Sequence, residues 1–133
     1  MILGINPIGL KDAYANYEQQ VINHSKINHA YCIENPKRYT GYSSACWGLT
    51  ASDIPNNGYA ANAPGNDIGV ITPTAAISSL PFTPTESMNA LRFFITSWVI
   101  NYGGLMDFMM LLHFMIYGLL TLLWPLIKVP LLL

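Results

Sequence analysis

Four carboxylates, Glu34, Asp53, Asp67 and Glu86, stand in or beside one stretch that also holds Trp47, Tyr42 and Tyr59. Hydrolysis of a glycosidic bond usually uses two carboxyl groups, one protonating the leaving oxygen and one activating water or attacking the sugar. Aromatic faces next to a few placed polar groups are the usual lining of a site for a small organic ligand. Asp53, after Ser52 and before Ile54-Pro55, is the acid expected to serve a site. The other three each have a structural reading beside the chemical one. Glu86 stands where it would complete a capping box with Thr83. Glu34 falls at the end of a predicted helix, where the dipole disfavours an anion, so it needs a partner from the protein or a substrate. Asp67, within Gly65-Asn66-Asp67, reads as a turn residue. His24 and His29 are five apart and off one helix face; paired helical ligands stand at i and i+4, so both read as ordinary helix residues. The sequence contains no metal-ligand spacing, no phosphate-cradling glycine loop and no nucleophile elbow, so no metal and no cofactor is expected.

The elements that must position these groups follow from punctuation and periodicity. Between Asn35 and Phe94 lie six of the nine prolines and five of the ten glycines, among Asn, Ser, Thr and Asp, so much of this stretch reads as loop. A long loop in a compact domain is usually functional or disordered. Trp47, Tyr39, Tyr42, Tyr59 and Leu49 give it more apolar surface than a disordered linker carries, so an ordered loop is expected. Before it, Lys11 to about Glu34 contains neither Gly nor Pro and stops at Asn35-Pro36. Tyr14, Tyr17, Val21, His24 or Ser25, Asn28 and Tyr31-Cys32 fall at spacings of three and four, which predicts one rather polar helix face. After it, Thr72-Pro73 and Thr83-Pro84 repeat one helix start, a Thr cap followed by Pro at the first helical position. The first opens a short helix to about Ser79, and Leu80-Pro81-Phe82 breaks it. The second opens a helix with an expected apolar stripe of Met88, Leu91, Phe94 and Ile95. No alternating strand pattern of useful length appears, so the expected class is all-α.

At 133 residues the chain has room for one small domain, and a net charge of −1 offers nothing to nucleic acid. The solitary basic pair Lys37-Arg38 reads as solvated. Cys32 and Cys46 could close a short disulfide or remain single thiols, and two cysteines fix no compartment. No basic n-region precedes an apolar run at the N-terminus, so no signal peptide is visible.

Several blocks in order carry a resemblance. Ala30-Tyr31-Cys32-Ile33-Glu34-Asn35-Pro36, Gly41-Tyr42, Cys46 to Asp53, Ile71-Thr72-Pro73-Thr74-Ala75-Ala76 and Ser79-Leu80-Pro81-Phe82-Thr83-Pro84 resemble the bacterial glycoamylase-like domain family. That family includes endo-β-1,2-glucanases and a region of cyclic β-1,2-glucan synthases. The resemblance implies an (α/α)6 toroid of which residues 1–94 form part, with a long ordered loop at the active-site end. It implies a glycoside hydrolase acting on β-1,2-glucan or a related β-glucoside, with an oligo- or polysaccharide as partner. On this reading Asp53 is catalytic and Trp47, Tyr42, Ser52, Tyr59 and Glu34 contact substrate. It further implies that upstream helices carry a catalytic carboxylate, so that this chain is inactive by itself, and a parent often periplasmic or secreted. Asn6-Pro7-Ile8-Gly9 departs from the more usual Asp-Pro-Arg-Gly of the family, which removes any expected polar role there.

Beyond Phe94 the composition changes: of thirteen Lys, Arg, Asp and Glu residues only Asp107 and Lys128 remain. Two expectations arise for 95–133. The direct one is a single membrane span at about 105–127, since a span needs ~20 apolar residues, with Asp107, His113 and Pro125 against it. The other reads each codon from its third base. Met106-Asp107 then encodes Gly, Met109-Met110 encodes Asp and Trp124-Pro125 encodes Ala. Degenerate positions permit Gly-Asp-Lys-Leu-Trp-Gly, then Tyr-Gly-Phe-Tyr-Asp-Ala-Phe, then Ala-Ile-Asp-Gln-Gly-Pro-Ile. Those strings, in that order, resemble the next segments of the family's domain, so the tail reads as frameshifted near Phe94–Thr96. A membrane partner is expected only if the tail is genuine.

Overall fold

The structure, a computed structural model, describes residues 6–54 and 58–102. Its elements are α1 (Tyr17–Glu34), β1 (Ser52–Ile54), β2 (Gly58–Ala60), α2 (Pro73–Ser78) and α3 (Pro84–Tyr102). The strands pair antiparallel, with Ser52 opposite Ala60, Asp53 opposite Tyr59 and Ile54 opposite Gly58. The described chain is therefore mostly helical, as the all-α expectation has it, with a small two-stranded sheet that the expectation did not include. Strands of three residues leave too little alternation for periodicity to register.

Helix α1 begins six residues later than its Gly- and Pro-free run suggested. Asp12 is the cause: its carboxylate accepts from the backbone N–H of Tyr14 and Ala15, both at 2.8 Å, and from the Tyr17 hydroxyl at 2.6 Å. Such local bonds offer the backbone an alternative to helix. Asn16 then caps the helix, accepting from Gln19 N. At the other end Asn35 takes a left-handed conformation (φ 46°) and sends its N–H to Tyr31 O. Its amide side chain also pairs with both N and O of Tyr39, at 2.8 Å each, which turns the chain back after Pro36.

The face α1 buries is Ser25, Asn28 and Cys32, within the polar face the spacing predicted, although Tyr14 is 95% exposed. A buried asparagine is tolerable because it is fully bonded. Asn28 donates to Leu49 O at 2.8 Å and accepts from Leu49 N at 3.0 Å, standing in for a neighbouring strand. The loop is thereby laid along α1, and it supplies the centre of the core. Trp47 and Leu49 pack with Cys32, Tyr42, Ala76, Ile77, Ala90 and Phe94.

Helix α2 opens at Pro73 as expected, but Thr72 makes no side-chain cap; its hydroxyl donates instead to Ser52 Oγ at 3.1 Å. The expected capping box of α3 is likewise absent among the described residues. The Thr83 hydroxyl donates to Ser79 O and shares a bond with Ser87 Oγ, both at 3.2 Å, so it serves the turn from α2 to α3. The apolar stripe is also shifted. α3 buries Ser87, Ala90 and Phe94, while Met88 is at the surface. Small side chains at 87 and 90 let α3 lie close against α2, and this contact selects the face. Among the described residues no helix is long and apolar enough to cross a membrane. The span considered at 105–127 lies outside the described residues, as does the tail from 103 onward.

Candidate functional site

The β1–β2 ribbon brings two of the expected site residues together. Directly opposed residues of an antiparallel pair project from one face, so Asp53 and Tyr59 share a face. Both are exposed, Tyr59 at 72%. Ser52 is half-buried and points its hydroxyl back at Thr72, which ties the foot of the ribbon to the start of α2. Glu34 stands exposed at the last turn of α1, and among the described residues its carboxylate has no hydrogen-bond partner.

Trp47 and Tyr42 lie elsewhere. Trp47 is 1% exposed; its indole N–H donates to Glu86 O at 3.4 Å, and the His29 ring meets it edge-on with centroids 5.0 Å apart. His29 is placed for this by its own bond to Ser44 O at 3.0 Å. Beside the indole a cleft of about 70 Å³ opens between α1 and α2, lined by His24, Ser25, Thr50 and Phe82 among others. Ligand pockets are usually ~300–1,000 Å³, so within the described residues this cleft is smaller than such a pocket.

Tyr42 is buried and donates its hydroxyl to Asp67 at 2.7 Å. Asp67, expected as a turn residue, is the main polar anchor of the loop. It is 4% exposed and accepts from Tyr42, from Tyr31 at 3.1 Å and from Gly69 N at 3.0 Å. Lys37 adds a bond from its ammonium to Asp67 O at 2.6 Å. Burial, then the bond to the Asp67 carboxylate, pushes the Tyr42 hydroxyl well above the ordinary tyrosine range, and Tyr31 moves the same way for the same reasons. Nothing in a Gly-Asn-Asp string marks an acid as buried; its partners stand 25 and 36 residues away.

A second necessity is Gly48. Its φ is +129°, and a Cβ there would lie 2.6 Å from Thr72 O and 3.1 Å from Ala76 N. The loop backbone thus passes in contact with the first turn of α2, held by Thr72 N donating to Gly48 O at 2.8 Å. The close approach that glycine permits here is to the protein's own helix. Around the ribbon, then, the chemistry on offer is one solvated carboxylate beside one exposed phenol, on a support fixed by Thr72, Gly48 and Asp67. No group of three or more His, Cys, Asp or Glu that could hold a metal occurs among the described residues.

Comparison with known proteins assigns this architecture. The family model Glycoamylase, described as "Putative glucoamylase", matches residues 1–109. The exo-β-1,2-glucooligosaccharide sophorohydrolase (non-reducing end) of Parabacteroides distasonis is 47% identical over 91 residues, covering 68% of this chain and 13% of that protein. The structure of an endo-β-1,2-glucanase from Chitinophaga pinensis, in complex with sophorotriose and glucose, is 48% identical with a TM-score of 0.65. That match covers 76% of this chain and 23% of the other. A β-1,2-glucanase from Parabacteroides distasonis gives 44% identity and a TM-score of 0.66, over 76% of this chain and 14% of the other. This chain spans less than a quarter of the length of each. With the family model matched over most of its length, the chain belongs to the glycoamylase-like family.

Proposed function

We propose that this chain is part of a glycoside hydrolase of helical-toroid architecture acting on β-1,2-glucan or its oligosaccharides, with Asp53 at the sugar. One observation carries the site assignment: Asp53 faces Tyr59 on an exposed ribbon, in a chain nearly half identical to enzymes named for β-1,2-glucan. A solvated carboxylate there suits the role of base or nucleophile, and the phenol ring suits the apolar face of a pyranose. Ser52 and Glu34 are the further polar groups within the proposed site. Trp47 and Tyr42, being buried, support the loop from behind. Glycoside hydrolysis needs a second carboxyl group, which we assign to the enzyme beyond this chain, so the chain alone turns over no substrate. The decisive assay is release of reducing ends by the full-length enzyme from β-1,2-, β-1,3- and β-1,4-glucans. Hydrolysis of the β-1,2 polymer alone supports the proposal; preference for either other linkage contradicts it.

For the tail we propose the frameshift near Phe94–Thr96. Helix α3 runs through that junction to Tyr102, as a segment free of Gly and Pro can. The family match runs on to residue 109, past that junction, so the matched residues beyond it weigh against a shift there and resequencing has to overcome them. Resequencing the codons for Phe93–Ser97 tests it: an insertion or deletion that restores Gly-Asp-Lys-Leu-Trp-Gly supports it, and an unaltered frame refutes it.

A further inference from the structure

The proposed reaction uses neither cysteine, yet the fold brings both to the same core cluster. Cys32 lies on the buried face of α1, wholly enclosed, and Cys46 sits half-buried in the loop one residue before Trp47; both thiols are free. Contacts from two residues of α1 fix the loop around them. His29 bonds Ser44 O at 3.0 Å and packs against Trp47. Asn28 clasps Leu49 through both N–H and C=O. Residues 44, 47 and 49 are thus laid against the turn of α1 that carries 28, 29 and 32, and Cys46 packs against the core cluster that contains Cys32.

We propose that Cys32 and Cys46 form a redox clamp, a dithiol that closes to a disulfide between α1 and the loop when the chain meets a small-molecule disulfide. The chemistry balances in two exchanges. Cys46, the more accessible, loses its proton and attacks one sulfur of the oxidant, such as glutathione disulfide, expelling a glutathione thiolate. Cys32 then loses its proton and attacks Cys46 Sγ, expelling the second glutathione. The chain gives up two electrons and two protons, and the oxidant becomes two thiols. Closure joins residues 14 positions apart and shrinks the unfolded ensemble, as any such cross-link does. It also fixes the segment that leads into β1. Burial pushes both thiols above the ordinary cysteine range, so the exchange is slow at neutral pH and speeds as pH rises.

The experiment incubates the full chain with glutathione disulfide at mildly alkaline pH and follows it by intact mass, peptide mapping and thermal melting. The expected product has lost two hydrogens, carries no glutathione, maps to a Cys32–Cys46 peptide pair and melts higher by about 10 °C, from the typical worth of a short-loop disulfide in a small domain. Cys32→Ala should stall with glutathione retained on Cys46. Wild-type chain that keeps glutathione, forms only intermolecular dimers or retains both thiols would overturn the proposal. Because the wild-type peptide map is the primary readout, a variant that fails to fold leaves the test intact.

Discussion

Replacing Gly48 with alanine should destabilise the chain strongly, and the size of the effect can be built from its surroundings. The new Cβ would meet Thr72 O at 2.6 Å, Ala76 N at 3.1 Å and Ala75 Cβ at 3.3 Å. The two nearest are backbone atoms in the first turn of α2, so no side chain can swing aside. A residue with a Cβ held at φ +129° pays ~1–3 kcal/mol in strain. Relieving the clash means drawing the loop off α2, which breaks the Thr72–Gly48 hydrogen bond at ~1 kcal/mol and unseats Trp47 next to it. The sum is about 2–4 kcal/mol before any loss of packing, out of ~5–15 kcal/mol for a whole small domain. Gly41→Ala is the control, since it has φ +95° but nothing within 4 Å of the new Cβ. It should show the strain alone. Urea unfolding followed by circular dichroism measures both. Equal midpoints for the two variants would refute the claim that loop-to-helix contact, rather than backbone angle, makes residue 48 glycine.

Other outcomes rest on the same contacts. Asp67→Ala strands two tyrosine hydroxyls and should cost about 3 kcal/mol by melting, given ~1–3 kcal/mol per buried group left unpaired; Asp67→Asn, which keeps an acceptor, should recover most of it. Tyr42 has a folded-state pKa raised by burial and by Asp67, so the folded form holds its proton longer. Stability from this group is complete below about pH 10 and falls as pH rises above the unfolded tyrosine value; a melting temperature flat from neutral pH through pH 11 would contradict that. Thr83→Ala removes two hydrogen bonds of the α2–α3 turn and should cost about 1–2 kcal/mol, while Glu86→Gln should cost less than about 0.5 kcal/mol; the reverse order would restore the capping box.

Helix positions were legible where local chemistry dictates them. Thr-Pro at 72–73 and 83–84 marks both later helices to the residue, and Asn35-Pro36 marks the end of α1. The start of α1 was not, because Asp12 spends its carboxylate on a turn that no periodicity records. The ribbon escaped for a similar reason: Asn57-Gly58 is a hairpin signal, but strands of three residues do not alternate long enough to be seen. The long loop was legible as ordered; its contents were not. Trp47 carries the same residue type whether it faces a sugar or the core, and only Asn28, His29 and Gly48, acting across the fold, turn it inward. Asp67 shows the limit most plainly, since a buried anchor and a surface turn residue are spelled alike.

The central claim is that Asp53 acts on the sugar rather than on the fold. Asp53 is exposed and, among the described residues, its carboxylate bonds to nothing, so Asp53→Asn should shift stability by no more than about 0.5 kcal/mol. Turnover of β-1,2-glucan by the full-length enzyme, measured alongside its melting temperature, should fall at least ~100-fold, the scale on which a positioned acid or base acts. Turnover within a few-fold of wild type would make Asp53 a loop carboxylate and contradict the site assignment.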